Sequence, residues 1–528
     1  MLFVLFRRRG KGQILFCSIA SAAIYGIEAR IIKCEADCVE GLPMFTMVGY
    51  LSSEVREAKD RVRTAIRNSG FFMKPRHITV NLSPADVRKA GTAFDLPIAI
   101  AVMAASEIIP TDKFDKTLIV GELGLNGEIK AVSGVLPVVL AAKKEGFETC
   151  IVPKDNVMEG AVVEGIDCIG AENLADVVAF MIGAPSENMK PVRADPNGIF
   201  LSEGSDENVD FSEVAGQLTA RRAVEIAVSG QHNIMMSGPP GAGKTMIARR
   251  IPTIMPRLTF DESMELSRIY SVAGKLDREH YFMTKRPFRS PHHTATVSSI
   301  VGGGITPKPG EVSLAVSGVL FLDEMPEFNR EVIEALRGPL EDRTVTVSRI
   351  NASYIYPARF MLAASMNPCP CGYFPDRNRC TCTDSMIRRY RARISQPILD
   401  RIDLYINVDK INFNELNNGQ ANESSASVRQ RVERAVSIQE DRYRGLDICF
   451  NSQLGAGQIR RFCKLGKDQQ ELLEEAFERM GLSARGYHRI LRVARTIADM
   501  DGSKNIECMH LAEALGYREN LGTEEAKV

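Results

Sequence analysis

The chain has no excess of either charge: 66 basic residues balance 66 acidic ones. This excludes a whole-molecule attraction to nucleic acid, so any such contact must come from local patches. Long apolar runs are missing as well. The run at the start (MLFVLF) is six residues long, far short of the ~20 that cross a bilayer. Arg7, Arg8 and Arg9 follow that run, whereas a secretory leader places positive charge before it. The expectation is a loose tail over residues 1–17 and a cytoplasmic protein with no membrane partner. Cysteine is not arranged as a secreted disulfide framework, since four of the 12 fall within fourteen positions and the rest are scattered. Internal repeats and low-complexity tracts are absent too. What remains is 528 residues with an ordinary hydrophobic fraction of 45%, enough for ~3 domains of ~150 residues.

The rest is organised around 238–245, GPPGAGKT. An apolar run (HNIMMS) precedes it and a helix-compatible run (MIARR) follows. Strand, glycine-rich loop and helix start form the setting that G-x-x-x-x-G-K-[ST] needs. Gly238, Pro239, Pro240, Gly241, Ala242 and Gly243 would wrap backbone amides around the phosphates of ATP. Lys244 would reach the β- and γ-phosphates, and Thr245 would place its hydroxyl on Mg2+. Further on, GVLFLDE (318–324) reads as a buried strand ending in two acids. Asp323 would hold Mg2+ through water, and Glu324 would orient and polarise the attacking water. A third apolar strand, FMLAAS (360–365), leads to Asn367, a polar side chain placed to sense the γ-phosphate. Between the last two, TVTVS and YIY flank a polar turn at Arg349, which predicts a β-hairpin.

Residues 286–310 (RPFRSPHH, then GGG and PKPG) are rich in turn formers and read as a long insertion. His292 and His293 in it are either metal ligands or proton carriers, or surface groups. Cys369, Cys371, Cys380 and Cys382 form C-x-C, eight residues, C-x-C. The spacing suits four thiolates around a structural Zn2+; free or redox-active thiols are the alternative. Residues 376–401 hold seven Arg and three Asp. Their RRYRAR run is either a nucleic-acid surface with an interleaved aromatic or a solvated helix face at a subunit contact.

Ahead of the nucleotide region, 18–183 reads as an α/β domain. Short β-rich runs at 78–82, 117–120 and 150–153 alternate with apolar helices at 96–105 and 135–145, the second closed by Gly146. The runs KAGTAFDLP (89–97), GELGLNGE (121–128), SGVL (133–136) and LAA (140–142) resemble the Lon-protease-type domain, also found in RadA-like recombination proteins. Ala93 stands at the position of that family's nucleophilic serine and Leu136 at that of its lysine. Neither can serve as nucleophile or base, while Thr92 and Lys143 lie nearby but out of register. No protease activity is expected; a binding or assembly role remains. Residues 184–208, rich in Pro, Gly, Ser and mixed charge, read as a linker. Beyond a connector at 411–424, residues 425–528 have apolar positions recurring every three and four, which predicts an α-helical lid.

Together these motifs closely resemble the YifB/ComM family of magnesium-chelatase-like AAA+ ATPases. The resemblance runs from residue 18 through VNLSPAD (80–86), GPPGAGKT, RPFRSPHH, PGEVSLA (309–315), GVLFLDE, MNPCPCG (366–372), DRID (400–403) and SARGYHRILRVARTIAD (483–499). It implies an α/β fold in three parts: a Lon-protease-like (ribosomal S5 domain 2-like) domain, an AAA+ P-loop NTPase core with a parallel sheet over 209–410, and the helical lid. It implies a homo-hexameric ring in which Arg401 is the arginine finger inserted into a neighbour's site and Arg485 is a second sensor in the lid. The hairpin at Arg349 and residues 286–310 would face the pore. The work implied is ATP-driven DNA branch migration or helicase activity, linked to recombination or natural transformation, with DNA and recombination proteins as partners. The alternative is a chelatase-type or chaperone-like ATPase remodelling a protein partner; no separate metal-binding integrator region follows the ATPase part. A third option is an unfoldase that feeds an outside protease.

Overall fold

The computed structural model describes residues 16–195, 198, 209–304, 307–349, 352–410 and 422–518. The expected tail up to residue 15, part of the linker, the hairpin tip at 350–351, most of the connector and the last ten residues lie outside the described residues. Among the described residues, no helix is long and apolar enough to cross a membrane.

The N-terminal unit begins with a strand, Phe16–Tyr25, that turns through Gly26 and Ile27 into Glu28–Val39 and pairs with it antiparallel. Two residues suffice for the turn because Gly26 takes a φ of 66°. Along the second strand Ile32, Cys34, Ala36 and Cys38 are buried while Lys33, Glu35 and Asp37 point the other way, the period of two expected of one core-facing surface. These strands sit inside an eight-stranded mixed sheet. Its order is Pro191–Val192, Asp167–Ala171, Thr149–Pro153, Thr117–Ile119, Phe16–Tyr25, Glu28–Val39, His77–Ser83, Met44–Val48. Helices Ser53–Asn68 and Asp95–Ala105 bury against one part of it and Val135–Lys144 against another. Every residue of Asp95–Ala105 is buried, as its unbroken apolar run implies. Gly146 follows Val135–Lys144 at φ 85°, its N–H donating to Lys143 O.

The second unit is a five-stranded parallel sheet. The strands are ordered Phe288–Arg289, Val319–Leu322, Met361–Met366, Ile234–Ser237, Leu404–Asn407. The middle three are wholly buried, as parallel strands covered on both faces should be. Ile234 and Met236 belong to one core with helices Leu218–Gly230 and Lys244–Ile254, while Met235 joins the core on the other face. The expected hairpin is present: Thr344–Arg349 pairs with Ala352–Pro357 in the register Ser348↔Ser353. It leans on the N-terminal unit, where the Tyr25 and Tyr354 rings lie 4.8 Å apart and Tyr25 Oη donates to Ser353 O.

Residues 286–310 differ from the loop that their composition suggests. Phe288–Arg289 is an edge strand, and Thr296 caps a short helix, Val297–Val301. Arg286 is turned inward, donating to Ser317 O (2.6 Å) and Arg257 O and pairing with Glu262. Arg289 pairs with Glu311 at 2.6 Å. These arginines brace the sheet edge rather than face outward. His292 and His293 stack on each other, 4.1 Å between rings, and join no metal-ligating group among the described residues.

The lid contains helices Ser425–Tyr443, Ala456–Phe462, Lys467–Met480, Ala484–Met500 and Cys508–Gly516. Ser424 and Ser483 cap the first and fourth. The lid shares its apolar core with one face of the parallel sheet. A buried polar cluster reinforces the junction: Asp499 receives Arg442 (2.7 Å), Arg495 (3.1 Å) and Asn451 (2.9 Å), and Thr496 bonds His232 at 2.8 Å.

Candidate nucleotide-binding site

The strand Ile234–Ser237 delivers the chain to the phosphate loop at its carboxyl end. A Cβ on Gly238 would run into Val408 O, so glycine alone allows the loop to leave this close to its neighbour. Gly243 at φ 92° caps the helix Lys244–Ile254. The first-turn N–H groups of that helix have no intrahelical acceptors and face the loop, a setting that favours an anion.

The polar side chains then converge. The Lys244 ammonium donates to Gly238 O (2.5 Å), Pro239 O (3.0 Å) and Asn367 Oδ1 (3.2 Å). Burial pulls its pKa below the usual lysine range, while Asp323 and Glu324 pull it back up. Thr245 Oγ1 donates to Asp323 Oδ2 at 2.8 Å. Ser365 Oγ donates to Asp323 Oδ1 (2.5 Å) and accepts from the Glu324 N–H (3.0 Å), so one hydroxyl ties the Asp323 carboxylate to the Glu324 backbone. Glu324 adopts φ 50°, a left-handed conformation unusual for a side-chain-bearing residue and frequent where geometry serves a site. The hydroxyl of Thr245 beside the Asp323 carboxylate is a hard oxygen donor set, the kind that suits Mg2+.

Arg401 and Arg485 lie elsewhere. The strand Leu404–Asn407 runs parallel to Ile234–Ser237, and Arg401 O accepts from Asn233 Nδ2, just before the phosphate-loop strand begins. Arg401 is therefore at the amino ends of the strands and Lys244 beyond their carboxyl ends, with four-residue strands of ~13 Å between them. Its guanidinium pairs with Glu341 and donates to Pro397 O. Arg485 starts the lid helix beside it, 4.0 Å from Asp400 and 64% exposed. The sequence leaves Arg485 free to point back at a nucleotide, but the structure does not bring it to the phosphate loop of its own chain. Both arginines line a cleft of about 420 Å³, with Arg343, Arg359, Arg489 and Arg492.

The four cysteines do come together. The Sγ atoms of Cys369, Cys371 and Cys380 are 3.3–3.7 Å apart, and those of all four, with Cys382, lie within 4.8 Å of one another. Thiolates bonded at ~2.3 Å to a tetrahedral ion sit ~3.8 Å from each other. None forms a disulfide. Hydrogen bonds, that of the Tyr373 N–H foremost, with those of Cys369, Cys382 and the Thr381 backbone, lower the Cys371 pKa to about 6.

Three stretches match known families. Residues 210–416 match the family described as magnesium chelatase, subunit ChlI; 34–156 match subunit ChlI of Mg-chelatase; 422–518 match the ChlI C-terminal family. Competence protein ComM of Haemophilus influenzae is 42% identical over 501 residues, 95% of this chain and 97% of that one. The chain belongs to the YifB/ComM family of magnesium-chelatase-like AAA+ proteins. Another member, uncharacterized protein YifB of Escherichia coli, is 42% identical over 503 residues, 95% of this chain and 96% of its own. A partial likeness is to Lon protease 2 of Bacillus subtilis, 25% identical over 169 residues, 30% of each chain.

That last likeness bears on the N-terminal unit of this YifB/ComM family member, which is Lon-like. Ala93 lines a cleft of about 370 Å³ with Thr92, Val135 and Val138. Leu136 does not line it: its side chain is fully buried in the apolar core. Thr92 Oγ1 is engaged by the Glu122 carboxylate. Three residues that hold these side chains escape sequence reading. Ser365 leaves a signal, as a lone hydroxyl in an otherwise apolar strand. Glu341, which holds Arg401, leaves none, because the two are distant in the chain; Asp400 stands in the DRID run, with nothing local to show that Arg485 and Arg489 are its partners.

Proposed function

We propose that the protein is an ATP-hydrolysing ring motor that remodels DNA. One observation carries this reading. Lys244, Thr245, Asp323, Glu324 and Asn367 stand at one end of the parallel sheet, while Arg401 and Arg485 stand at the other. A complete site then needs the far end of a second copy, and repeated head-to-tail contact of that kind closes into a ring; the family resemblance makes it a hexamer. Thr245 and Asp323 would hold Mg2+, which neutralises charge on the transferring phosphoryl group. Lys244 and the loop amides of 238–243 bind the phosphates. Asn367 registers the γ-phosphate, Glu324 orients the attacking water, and the neighbour's Arg401 stabilises the charge that develops. Cys369, Cys371, Cys380 and Cys382 hold a structural Zn2+.

The DNA part rests on the relative named a competence protein and on the hairpin Thr344–Arg349/Ala352–Pro357, which the resemblance turns toward the pore. Its test is the ATPase rate with and without single-stranded, duplex and forked DNA, at low and physiological salt. Stimulation with salt-sensitive binding is expected. Absence of both removes the DNA reading and leaves the second one, a chelatase-type ATPase that remodels a protein, which the family description favours. Metal analysis of the purified chain is expected to find about one Zn2+ per chain.

A further inference from the structure

The cysteine cluster is not a separate appendage. It grows from the end of the strand Met361–Met366 that carries Asn367, and its first half lies alongside the phosphate loop. Three contacts join the two. Gly238 N donates to Met366 O (3.2 Å), Lys244 Nζ donates to Asn367 Oδ1 (3.2 Å), and Gly372 sits against Pro240. At the third there is no room for a side chain: a Cβ on Gly372 would lie 2.5 Å from Pro240 Cδ, and Gly372 holds φ +82°. Gly372 has this place because it closes a turn, its N–H donating to Cys369 O at 3.0 Å. The next residues return to the cluster, with Phe374 N–H on Cys369 Sγ at 3.4 Å. On the outer side, Arg377 and Arg391 stack over the Phe374 ring at 4.9 and 5.5 Å, and Lys410 lies over Tyr373.

We propose that the four-cysteine knuckle is the second wall of the nucleotide site, and that a metal held by its thiolates positions the phosphate loop through Gly372 on Pro240. This deepens the proposed function and rests on its zinc and nucleotide readings. With the four sulfurs drawn to one centre, the Cys369–Gly372 turn is rigid and Pro240 has a fixed surface beneath it. With the centre lost, four thiols that share one small space separate, and the turn moves away from the loop. Gly372 is thus a positioning residue. Metal and nucleotide are linked, and linkage is reciprocal: the factor by which metal tightens nucleotide is the factor by which nucleotide tightens metal.

The test uses the full-length chain. The affinity for Mg-ATP is measured on zinc-loaded and chelator-stripped protein, and the affinity for zinc is measured by chelator competition with and without Mg-ATP. Zinc loss is expected to weaken Mg-ATP binding at least tenfold, with an equal shift in zinc affinity when nucleotide is present. G372A is expected to keep one zinc per chain and still lose at least tenfold in Mg-ATP affinity. P240A, which removes the ring that rests on Gly372, is expected to leave Mg-ATP affinity indifferent to zinc. A general structural defect would produce neither the equal reciprocal shifts nor this loss of coupling. Zinc bound, with Mg-ATP affinity indifferent to its removal and unchanged in G372A, overturns the positioning role and leaves the zinc reading intact. A chain that binds Mg-ATP normally and takes up no zinc overturns both.

Discussion

The two α/β units place the same local device side by side: a short loop feeds a helix whose start faces a cleft. In the nucleotide unit the loop 238–243 feeds Lys244–Ile254, and Lys244, Thr245, Asp323 and Asn367 meet there in a bonded set. In the N-terminal unit a loop through Gly91 feeds Asp95–Ala105, and in the cleft beside it Ala93 stands with Thr92, Glu122, Arg88 and Val135. Asp95, in that helix's first turn, is spent on the interior, with Arg61 donating to both its oxygens at 2.7 and 2.9 Å. The units differ in the set at the helix start: a lysine, a threonine, an aspartate and an asparagine converge in the nucleotide unit, while in the N-terminal unit an alanine stands beside a threonine already bonded to Glu122.

The largest effects should come from the nucleotide unit. Arg401→Ala is expected to lower ATP turnover ~10^3–10^5-fold, the worth of an arginine finger, while leaving nucleotide binding to the chain's own loop. Lys244→Ala is expected to abolish binding. Mixing the two variants should recover activity, because an intact Arg401 from one can meet an intact loop from the other. Failure to recover would put Arg401 in the service of its own subunit, against its position at the amino ends of the strands. Glu324→Gln is expected to keep ATP binding and lose turnover ~10^2–10^4-fold; hydrolysis at the normal rate would remove its water-orienting role.

The N-terminal unit should answer differently. Ala93→Ser places a hydroxyl in the cleft, and no peptide hydrolysis is expected from it, since the aligned Leu136 is directed into the core and the Glu122 carboxylate beside the cleft is already engaged by Thr92. Peptidase activity of A93S would break the contrast between the units. Leu136→Ala should instead cost stability, ~2–5 kcal/mol for a wholly buried leucine, read as a lowered melting temperature.

How much of this was legible depended on how local the cause was. The phosphate loop, its strand and its helix were readable because glycine spacing and period act over a few residues. So were the acidic strand, the hairpin and the capped lid helix at Ser483. The cysteine spacing pointed to a cluster, and the four sulfurs meet. Long-range pairings were not readable. The strand Phe16–Tyr25 pairs on its other side with Thr117–Ile119, far along the chain. Arg286 sits in a stretch of turn formers, yet its acceptors are carbonyls of 257 and 317. The alignment could place Leu136 opposite a lysine but could not say that its side chain turns inward. Arg485 is at a helix start by its sequence, and only tertiary structure sets which end of the sheet that start faces.

The smallest expected effect compares one buried carboxylate from each unit. Burial is the leading influence on both and raises both. At Asp95 it prevails over the pair with Arg61, and the pKa stays above the usual carboxylate range. At Asp403 it is outweighed by the hydrogen bond and charge of His232, the charge of Arg492 and the Asn233 amide, and the pKa falls below that range. The two therefore pull stability in opposite senses with pH. The lowered Asp403 contributes stability above the unfolded value of ~3.9, and this is lost as pH falls through its folded value. The raised Asp95 contributes in acid, and that contribution is lost as pH rises through its folded value. Between pH 7 and pH 4 and below, Asp403→Asn should flatten the fall in melting temperature and Asp95→Asn should steepen it, each by a few degrees at most. Equal slopes for both variants and the parent would mean that the two interiors treat a carboxylate alike.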